Sequence, residues 1–322
     1  MHYRNLGRSG AVVSELALGT MTFGRETDEA GSHEQLDRFV EAGGTLVDTA
    51  DVYAETESES IIGRWLAKRP ADVTDQIVIA TKGRFPTGTG PNDLGTSRRH
   101  LHRALDGSLR RLGVEHIDLY QMHAWDPLTP IEETLRFLDD AVRAGKIGYP
   151  GLSNFTGWQL QRFVDLAERL GVPQPVTLQP QYNLLVREIE WEIVPAAQAN
   201  GLGLLPWSPL GGGWLTGKYT RDERPSGATR LGENPERGVS MAQVALAWVR
   251  QQPAVTSVIL GARTLEQLQD NLAAADLALQ EGELEVLAEA SDPGAADYPY
   301  GVPGVHQRGR TVDPKEWRDS AP

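Results

Sequence analysis

Cysteine is absent from all 322 residues, which excludes disulfides, thiolate zinc sites and cysteine nucleophiles together. Long apolar runs are also absent, since none approaches the roughly 18 residues that a membrane-spanning helix needs. The first five residues lack the apolar segment of a secretory signal. Positive charge is scarce: 31 Lys and Arg against 44 Asp and Glu give a net charge of −13, which repels phosphate backbones and anionic membranes. These absences predict a cytoplasmic protein with no nucleic-acid or membrane partner.

The composition is typical of a soluble globular protein. A hydrophobic fraction of 40% and a charged fraction of 23% allow a large core. A chain of this length could form one large α/β domain or two ordinary ones. Because no low-complexity linker divides the sequence, we predict a single domain over residues 1–322, with residues 312–322 as a candidate disordered tail.

Residues 3–18 are predicted to form a β-hairpin, because two short extended segments flank a turn that contains Gly7 and Gly10. Beyond it, short apolar runs alternate with longer stretches of helical period. Eight runs are predicted as strands: residues 16–20, 45–47, 77–81, 117–122, 148–153, 176–181, 203–207 and 257–260. Six stretches with apolar residues at i, i+3 and i+4 are predicted as helices: residues 34–42, 57–68, 97–112, 130–144, 156–170 and 188–200.

The predicted strands are apolar along their length, which fits a parallel sheet buried on both faces. Eight strand–helix units of this size favour a (β/α)8 TIM barrel with an N-terminal β-hairpin and long C-terminal loops. A doubly wound sheet is the alternative, but it should carry a glycine-rich fingerprint after its first strand, and residues 19–24 lack that spacing. Pro150 interrupts the start of the predicted fifth strand.

Polar residues follow three of the predicted strands. Asp48 ends the second strand, Lys82 follows the third and His123 follows the fourth, while Tyr53 lies on the loop after the second. Taken alone, each has an ordinary structural interpretation: Asp48 as a loop anchor, Lys82 as a salt-bridge partner, His123 as a core histidine and Tyr53 as a rim aromatic. Because active sites of barrels lie at the carboxyl ends of the strands, their coincidence at one rim favours a catalytic site.

These four side chains together support proton donation to a substrate. A tyrosine, with an ordinary pKa of about 10, is a poor acid at neutral pH unless a nearby cation stabilises its phenolate. Lys82 can be that cation, Asp48 can keep Lys82 charged and oriented, and His123 can donate a hydrogen bond to a substrate carbonyl. Such a site protonates a developing alkoxide while another group delivers hydride.

Several motifs resemble those of the aldo-keto reductase superfamily, and the resemblance covers about residues 3–301. The motifs are Asp-Thr-Ala-Asp-Val-Tyr (48–53), Thr-Lys (81–82), Leu-Tyr-Gln-Met-His (119–123), Gly-Leu-Ser-Asn-Phe (151–155), Gln-Pro-Gln-Tyr-Asn (179–183) and Trp-Ser-Pro-Leu (207–210). The resemblance implies an NAD(P)H-dependent reductase of aldehydes or ketones. In it, Tyr53 would donate the proton, Lys82 and Asp48 would tune Tyr53, and His123 would orient the carbonyl.

The resemblance also implies which residues hold the cofactor. Trp207 stands where the family more often has a tyrosine stacked on the nicotinamide ring. Arg263, at a helix N-terminus after Gly261, would meet a 2′-phosphate, which favours NADP over NAD; its ordinary interpretation is a solvated residue. The implied cofactor residues are Gly19, Thr20, Met21, Ser153, Asn154, Gln181, Trp207, Ser208, Leu210, Gly212, Lys218, Gly261, Arg263, Gln267 and Asn271.

Other functions stay open at this point. The superfamily includes tetrameric channel-associated subunits that bind nicotinamide nucleotide as a sensor, so a regulatory subunit with little turnover is the alternative. A sugar isomerase or lyase would need metal ligands, which the sequence does not predict, or a Schiff-base lysine such as Lys82. The oligomeric state is left open.

Aromatic residues bear on the small-molecule substrate, which we expect to be a medium-sized carbonyl compound of apolar or aromatic character. Phe23, Phe85, Trp125 and Trp214 are candidates for the pocket lining, whereas Trp158 has the helical spacing of a packing residue. The segment before the helix at residues 240–251 is shorter than in relatives. Either the outer ring of helices lacks the helix that normally follows the seventh strand, or the helix at residues 240–251 takes its place.

Overall fold

The computed structural model describes residues 1–217, 239–294 and 299–300. Lys218, residues 312–322 and most of the predicted C-terminal loops lie outside the described residues.

Short strands and longer helices alternate along the described chain. The strands are β1 (Tyr3–Asn5), β2 (Val12–Ser14), β3 (Leu16–Gly19), β4 (Leu46–Asp48), β5 (Val78–Gly83), β6 (Ile117–Met122), β7 (Ile147–Ser153), β8 (Thr177–Gln179), β9 (Gly203–Leu204) and β10 (Val258–Leu260). The α-helices are α1 (Glu29–Glu41), α2 (Glu57–Leu66), α3 (Ala71–Thr74), α4 (Arg98–Leu112), α5 (Ile131–Arg143), α6 (Gly157–Leu170), α7 (Ile193–Ala199), α8 (Met241–Arg250), α9 (Leu265–Leu272) and α10 (Glu281–Ala290).

Eight strands form one parallel sheet in the order β10-β3-β4-β5-β6-β7-β8-β9. The sheet curls until its two edges meet: Leu204 forms a bridge with Val255, and the N–H of Ile259 donates to the carbonyl of Pro206 at 3.0 Å. The fold is therefore a (β/α)8 barrel with an N-terminal hairpin, as predicted. All strands of a parallel barrel end at the same rim.

The core has two layers. Inside the barrel lie residues from alternate strand positions and from the hairpin: Leu6, Val13, Ala17, Leu46, Ala80, Leu119, Val176, Leu205 and Ile259. The larger layer packs between the outer face of the sheet and the helices, whose apolar stripes turn inward. Local signals fix the helix ends: the Ser97 side chain caps α4, Thr156 and Gln159 form a capping box on α6, and Gly113 and Gly171 end these helices with left-handed φ.

The hairpin β1–β2 covers the amino-terminal end of the barrel. Its turn approaches the barrel so closely that a Cβ on Gly7, whose φ is +56°, would lie 1.9 Å from the carbonyl oxygen of Val176. An ion-pair network also ties it down, because Glu15 accepts from both Arg4 and Arg250 at 2.6 Å. This packing leaves the opposite, carboxyl-terminal rim for the polar residues identified above.

Several element boundaries differ from the predictions. Helix α1 begins five residues early because the Asp28 side chain caps it through the N–H of Gly31. The prediction that Pro150 interrupts its strand is wrong: β7 runs through it, since Pro150 needs only its carbonyl, which accepts from Val176 at 2.9 Å. Helices α3 and α10 were not predicted. Among the described residues between β9 and β10, α8 takes the place of the helix that joins these two strands.

Candidate active site

Four predicted residues meet at the carboxyl-terminal rim. Asp48 is the last residue of β4, Lys82 is the penultimate residue of β5 and His123 follows β6. Tyr53 opens a 3₁₀ turn, Tyr53–Thr56, on the loop after β4. The register places Asp48 beside Ala80 and Lys82 beside Gln121, so neighbouring strands carry these side chains to one spot.

The ammonium group of Lys82 is the centre of the cluster. Its Nζ donates to Oδ2 of Asp48 at 2.6 Å, to the carbonyl of Thr49 at 2.8 Å and to the hydroxyl of Tyr53 at 3.3 Å. These three acceptors match the three N–H bonds of an ammonium group. The side chain of Lys82 is fully buried, so solvent does not screen its charge from Tyr53.

Lys82 is charged despite its burial. Burial lowers the pKa of the Lys82 ammonium, but the Asp48 carboxylate and the hydrogen bonds to Asp48 and Tyr53 outweigh it, so the pKa is raised. The buried pair is further satisfied by hydrogen bonds on its acidic member, which such pairs require. Oδ1 of Asp48 accepts from Gln179 at 2.8 Å and from Gln121 at 3.3 Å.

Gln121 and Gln179 also belong to this cluster, although neither was among the residues predicted from the sequence. Both lie within predicted strands and inside recognised motifs, where their neighbours are apolar. Both amides are buried near the ends of mostly apolar strands. Their position in such strands was the signal available in the sequence, because a buried amide must find a hydrogen-bond partner. Their partner is Asp48.

Tyr53 is held by an unusual turn. Ala54, Glu55 and Thr56 have φ of 48°, 54° and 81°, conformations that residues with side chains rarely adopt. Burial raises the pKa of the Tyr53 phenol, and Lys82 opposes this without reversing it. The charge of Lys82 lowers the pKa of Tyr53, but burial outweighs it, so the phenol is protonated at neutral pH.

The imidazole of His123 is neutral and can donate or accept a hydrogen bond. Burial, followed by the charges of Lys82 and Arg84, lowers the pKa of His123 to about 2. Its Nδ1 is buried without a hydrogen-bond partner in the described part of the chain. Its ring lies 5.8 Å from the ring of Tyr53 and 4.5 Å from that of Phe85, edge-on in both cases.

Ser153, Asn154 and Trp207 form a connected group beside His123. The Asn154 amide donates to the carbonyl of His123 at 3.0 Å and to the Ser153 hydroxyl at 3.1 Å, and it accepts from the Trp207 indole at 3.0 Å. Asn154 has a φ of +57°, in the left-handed region that non-glycine residues rarely adopt. Gln181 forms a bridge with Trp207 and so lies at the same rim.

The residues after β3 divide into buried and exposed. Thr20 is fully buried, and its hydroxyl donates to the carbonyl of Asp48 and contacts Ser58. Gly19 lies so close to β10 that a Cβ would meet Ile259 at 2.6 Å. Met21 is 62% exposed. The structure therefore gives Thr20 and Gly19 packing partners within the protein and leaves Met21 open to the rim.

The glycine-rich turn after β9 contains Ser208, Leu210 and Gly212. The N–H groups of Gly211, Gly212 and Gly213 donate to the Ser208 carbonyl, the Ser208 hydroxyl and the Leu210 carbonyl. These hydrogen bonds stabilise the turn itself. A Cβ on Gly212 or Gly213 would meet no atom within 4 Å, so the turn presents an open surface.

The residues after β10 are arranged around the start of α9. Arg263 is exposed, and its backbone N–H is bonded to Gln267 at 2.9 Å. Asn271 donates to the carbonyl of Gly261 at 3.4 Å, and a Cβ on Gly261 would be in open space. No carboxylate among the described residues lies within 4.0 Å of the Arg263 guanidinium.

The aromatic rim differs in part from the prediction. Phe23 is fully buried and belongs to the outer core layer, so it does not line a pocket. Trp158 is 57% exposed rather than packed inside, and its ring lies 5.5 Å from that of Trp125. Trp214 is 63% exposed and Phe85 packs against His123. Trp158 and Trp214 are therefore among the exposed large hydrophobic side chains.

Two further observations concern the described residues as a whole. No group of three or more His, Asp or Glu side chains there is arranged to bind a metal ion. No helix in the described ranges combines the length and apolar character needed to cross a lipid bilayer.

A comparison with known families matches most of the chain. The Aldo/keto reductase family profile matches residues 15–292. The chain therefore belongs to the Aldo/keto reductase family, a family of oxidoreductases.

Three relatives illustrate what the chain is similar to. It is 39% identical over 310 residues to the uncharacterized oxidoreductase YrpG of Bacillus subtilis, covering 89% of this chain and 95% of the relative. It is 38% identical over 306 residues to a probable voltage-gated potassium channel subunit beta of Oryza sativa, covering 86% and 92%. It is 33% identical over 334 residues to the L-glyceraldehyde 3-phosphate reductase of Escherichia coli, covering 91% and 96%.

Proposed function

We propose that the protein is an NADPH-dependent reductase that converts aldehydes or ketones to alcohols, with Tyr53 as the proton donor. The observation that carries this proposal is the buried Lys82 ammonium, whose hydrogen bonds end on Asp48, Thr49 and the Tyr53 hydroxyl. Acid–base residues with burial and charge partners of this kind are typical of catalytic sites. A relative named as a reductase of an aldehyde supports the same direction.

The surface beside this cluster fits a nicotinamide dinucleotide. The half-buried Trp207 ring offers a face for stacking, Ser208 and Gly212 border an open glycine turn, and Arg263 offers an exposed cation without a carboxylate partner in the described residues. In the proposal these residues, with Ser153, Asn154 and Gln181, hold the cofactor. When bound, the reduced nicotinamide supplies the hydride.

The protein's own groups handle the carbonyl oxygen. In the proposal, Nε2 of the neutral His123 and the hydroxyl of Tyr53 both bind that oxygen, which fixes the carbonyl carbon beside the cofactor face. As negative charge develops on the oxygen, Tyr53 transfers its proton and becomes a phenolate. Lys82, 3.3 Å from the Tyr53 hydroxyl, stabilises that phenolate, and Asp48 keeps Lys82 charged. The buried surroundings strengthen each of these interactions.

The exposed apolar rim favours carbonyl compounds with an apolar or aromatic portion. Trp125, Trp158 and Trp214 offer flat surfaces near the polar cluster. In the proposal they contact the part of the substrate that does not react.

Arg263 carries the proposed preference for NADPH. Replacing it by alanine (Arg263→Ala) removes the guanidinium that would pair with the 2′-phosphate, so NADPH affinity should fall roughly tenfold to a hundredfold. Affinity for NADH, which lacks this phosphate, should change little. Titration of intrinsic tryptophan fluorescence with each nucleotide measures both. Equal losses for the two nucleotides would contradict the assignment.

The resemblance to channel subunits supports a second candidate, a nucleotide-binding regulatory subunit with little turnover. The two functions differ in a single assay: oxidation of NADPH and of NADH is followed across a panel of aldehydes, ketones and sugars. A reductase oxidises NADPH in many turnovers per site when the carbonyl is present. A regulatory subunit binds NADPH, seen by fluorescence quenching, yet turns over none of the panel.

A further inference from the structure

Asp51 is a buried titratable group that the proposed mechanism leaves unused. It is 0% exposed, and neither carboxylate oxygen has a hydrogen-bond partner of acceptable geometry among the described residues. It lies on the loop that joins Asp48, the last residue of β4, to Tyr53, and its backbone N–H donates to the carbonyl of Lys82 at 3.1 Å. An ionised carboxylate without partners is costly to bury, so this acid calls for a physical explanation.

Titratable groups act on Asp51 from four surrounding elements. They are Glu59 on α2, Lys82 on β5, Arg111 on α4 and Tyr120 on β6. Arg111 is paired with Glu59 at 2.7 Å. The Glu59 carboxylate therefore largely offsets the attraction between Arg111 and Asp51. Lys82 is likewise directed at Asp48. No cation in the described residues is therefore committed to Asp51.

The remaining neighbours are held in place by other contacts. Glu59 also accepts from the Thr81 hydroxyl at 2.5 Å, which fixes its charge near Asp51. The Tyr120 hydroxyl is buried, has no hydrogen-bond partner within the described ranges, and lies against Gly83, where a Cβ would be 2.2 Å from it. Asp51 thus has a second acid and a phenol among its neighbours, which disfavours a negative charge on its own carboxyl group.

The electrostatic consequence agrees with this geometry. Burial, and next the field of Glu59, raise the pKa of Asp51 to about 8, although Arg111, Lys82 and the nearby N–H of Val52 oppose the shift. The carboxyl group is therefore neutral at pH 7. The coupling reaches the reacting phenol as well, because an ionised Asp51 raises the pKa of Tyr53.

We propose that Asp51 is a positioning residue for the reaction: its neutral carboxyl leaves the Lys82 charge available to Tyr53, and its ionisation weakens Tyr53 as a proton donor. The ionisation is a single proton loss to solvent, and no other bond changes. This inference rests on the proposed role of Tyr53. It adds that the site loses proton-donating strength above the pH at which Asp51 ionises.

The direct test is a titration of the Tyr53 phenol. Tyrosinate absorbance is recorded against pH, and the curve of the matching Tyr53→Phe protein is subtracted to isolate Tyr53. In Asp51→Asn the midpoint should lie lower than in the wild type, by about one pH unit or tenfold in acidity, because the nearby negative charge is gone. Asp118→Asn is the matched control: Asp118 also has a raised pKa, but it lies near the amino-terminal end of β6, away from the site. An unchanged midpoint in Asp51→Asn overturns the proposal.

Turnover gives an independent arm. The kcat/KM of carbonyl reduction should decline above about pH 8 in the wild type and in Asp118→Asn, whereas Asp51→Asn should keep its rate to higher pH. Persistence of the same decline in Asp51→Asn contradicts the proposal. If Asp51→Asn does not fold, Glu59→Gln replaces it; losing that charge lowers the pKa of Asp51, so the decline should start at lower pH. A protein that reduces no carbonyl overturns the proposed function, while the Tyr53 titration still tests Asp51.

Discussion

At the scale of single residues, the site depends on keeping one lysine charged where water cannot reach it. Lys82 is 0% exposed, yet each of its three N–H bonds has an acceptor. The second oxygen of Asp48 is bound by two glutamines, which prevents that carboxylate from rotating away from Lys82. The glutamines therefore support the phenol indirectly, through Asp48 and then Lys82.

This chain of contacts predicts an order of effects for two matched substitutions. Gln179→Met removes the 2.8 Å bond to Asp48, and Gln121→Met removes the 3.3 Å bond. Methionine is similar to glutamine in size, so the comparison isolates the hydrogen bond. We expect Gln179→Met to lower kcat roughly tenfold and Gln121→Met to lower it less, because the shorter bond orients Asp48 more strongly. Steady-state rates with saturating NADPH measure both, and a larger loss in Gln121→Met would contradict this order.

At the scale of elements, strand register brings the cluster together. Three neighbouring strands, β4, β5 and β6, place Asp48, Lys82 and His123 at or next to their carboxyl ends, and the loop after β4 returns Tyr53 to the same spot. The hairpin β1–β2 has the complementary task of covering the opposite end of the barrel. Its turn fits only because Gly7 has no side chain and adopts a φ of +56°.

Two glycines of the hairpin turn allow a matched test of its packing against the barrel. Gly7→Ala places a methyl group 1.9 Å from the carbonyl oxygen of Val176 and requires a strained φ, so the free energy of unfolding should fall by roughly 2 kcal/mol or more. Gly10→Ala, on the same turn, meets no atom within 4 Å and should have little effect. Urea denaturation of both variants measures the difference. Equal stability of the two would argue against the close approach.

At the scale of the whole molecule, a buried neutral acid makes stability depend on pH. The folded-state pKa of Asp51, about 8, exceeds its unfolded value of about 4, so the folded protein holds a proton that the unfolded chain releases. The stability contributed by Asp51 is therefore complete below about pH 4 and is lost progressively as pH rises to about 8. Asn at this position has no such dependence.

The stability of the wild type relative to Asp51→Asn should therefore decline across this window. The expected slope is on the order of 1 kcal/mol per pH unit. Urea denaturation of both proteins at pH 5.5 and at pH 8 measures it. A difference that stays constant between these two values would show that Asp51 is already ionised at neutral pH.

The sequence predicted the barrel and the four central residues because both follow from short-range patterns. Apolar runs, helix stops and strand-end polar residues are visible in the chain itself. What escaped prediction depends on contacts between distant residues: the Gln179 bond to Asp48 spans 131 positions, and the orphaned carboxyl of Asp51 is defined by neighbours from four elements. The same reason explains why Phe23, a candidate for the pocket lining, is buried, and why Trp158, which has the helical spacing of a packing residue, is exposed.

The role of Tyr53 is tested most directly by Tyr53→Phe, which removes one hydroxyl group and keeps the ring. The rate of NADPH-dependent carbonyl reduction is compared with that of the wild type and of Tyr3→Phe, a control whose hydroxyl bonds to Gly43 far from the site. We predict a loss of at least about a hundredfold in kcat for Tyr53→Phe, with NADPH affinity nearly unchanged, because proton donation typically contributes that much. Turnover in Tyr53→Phe equal to that of Tyr3→Phe would contradict the account.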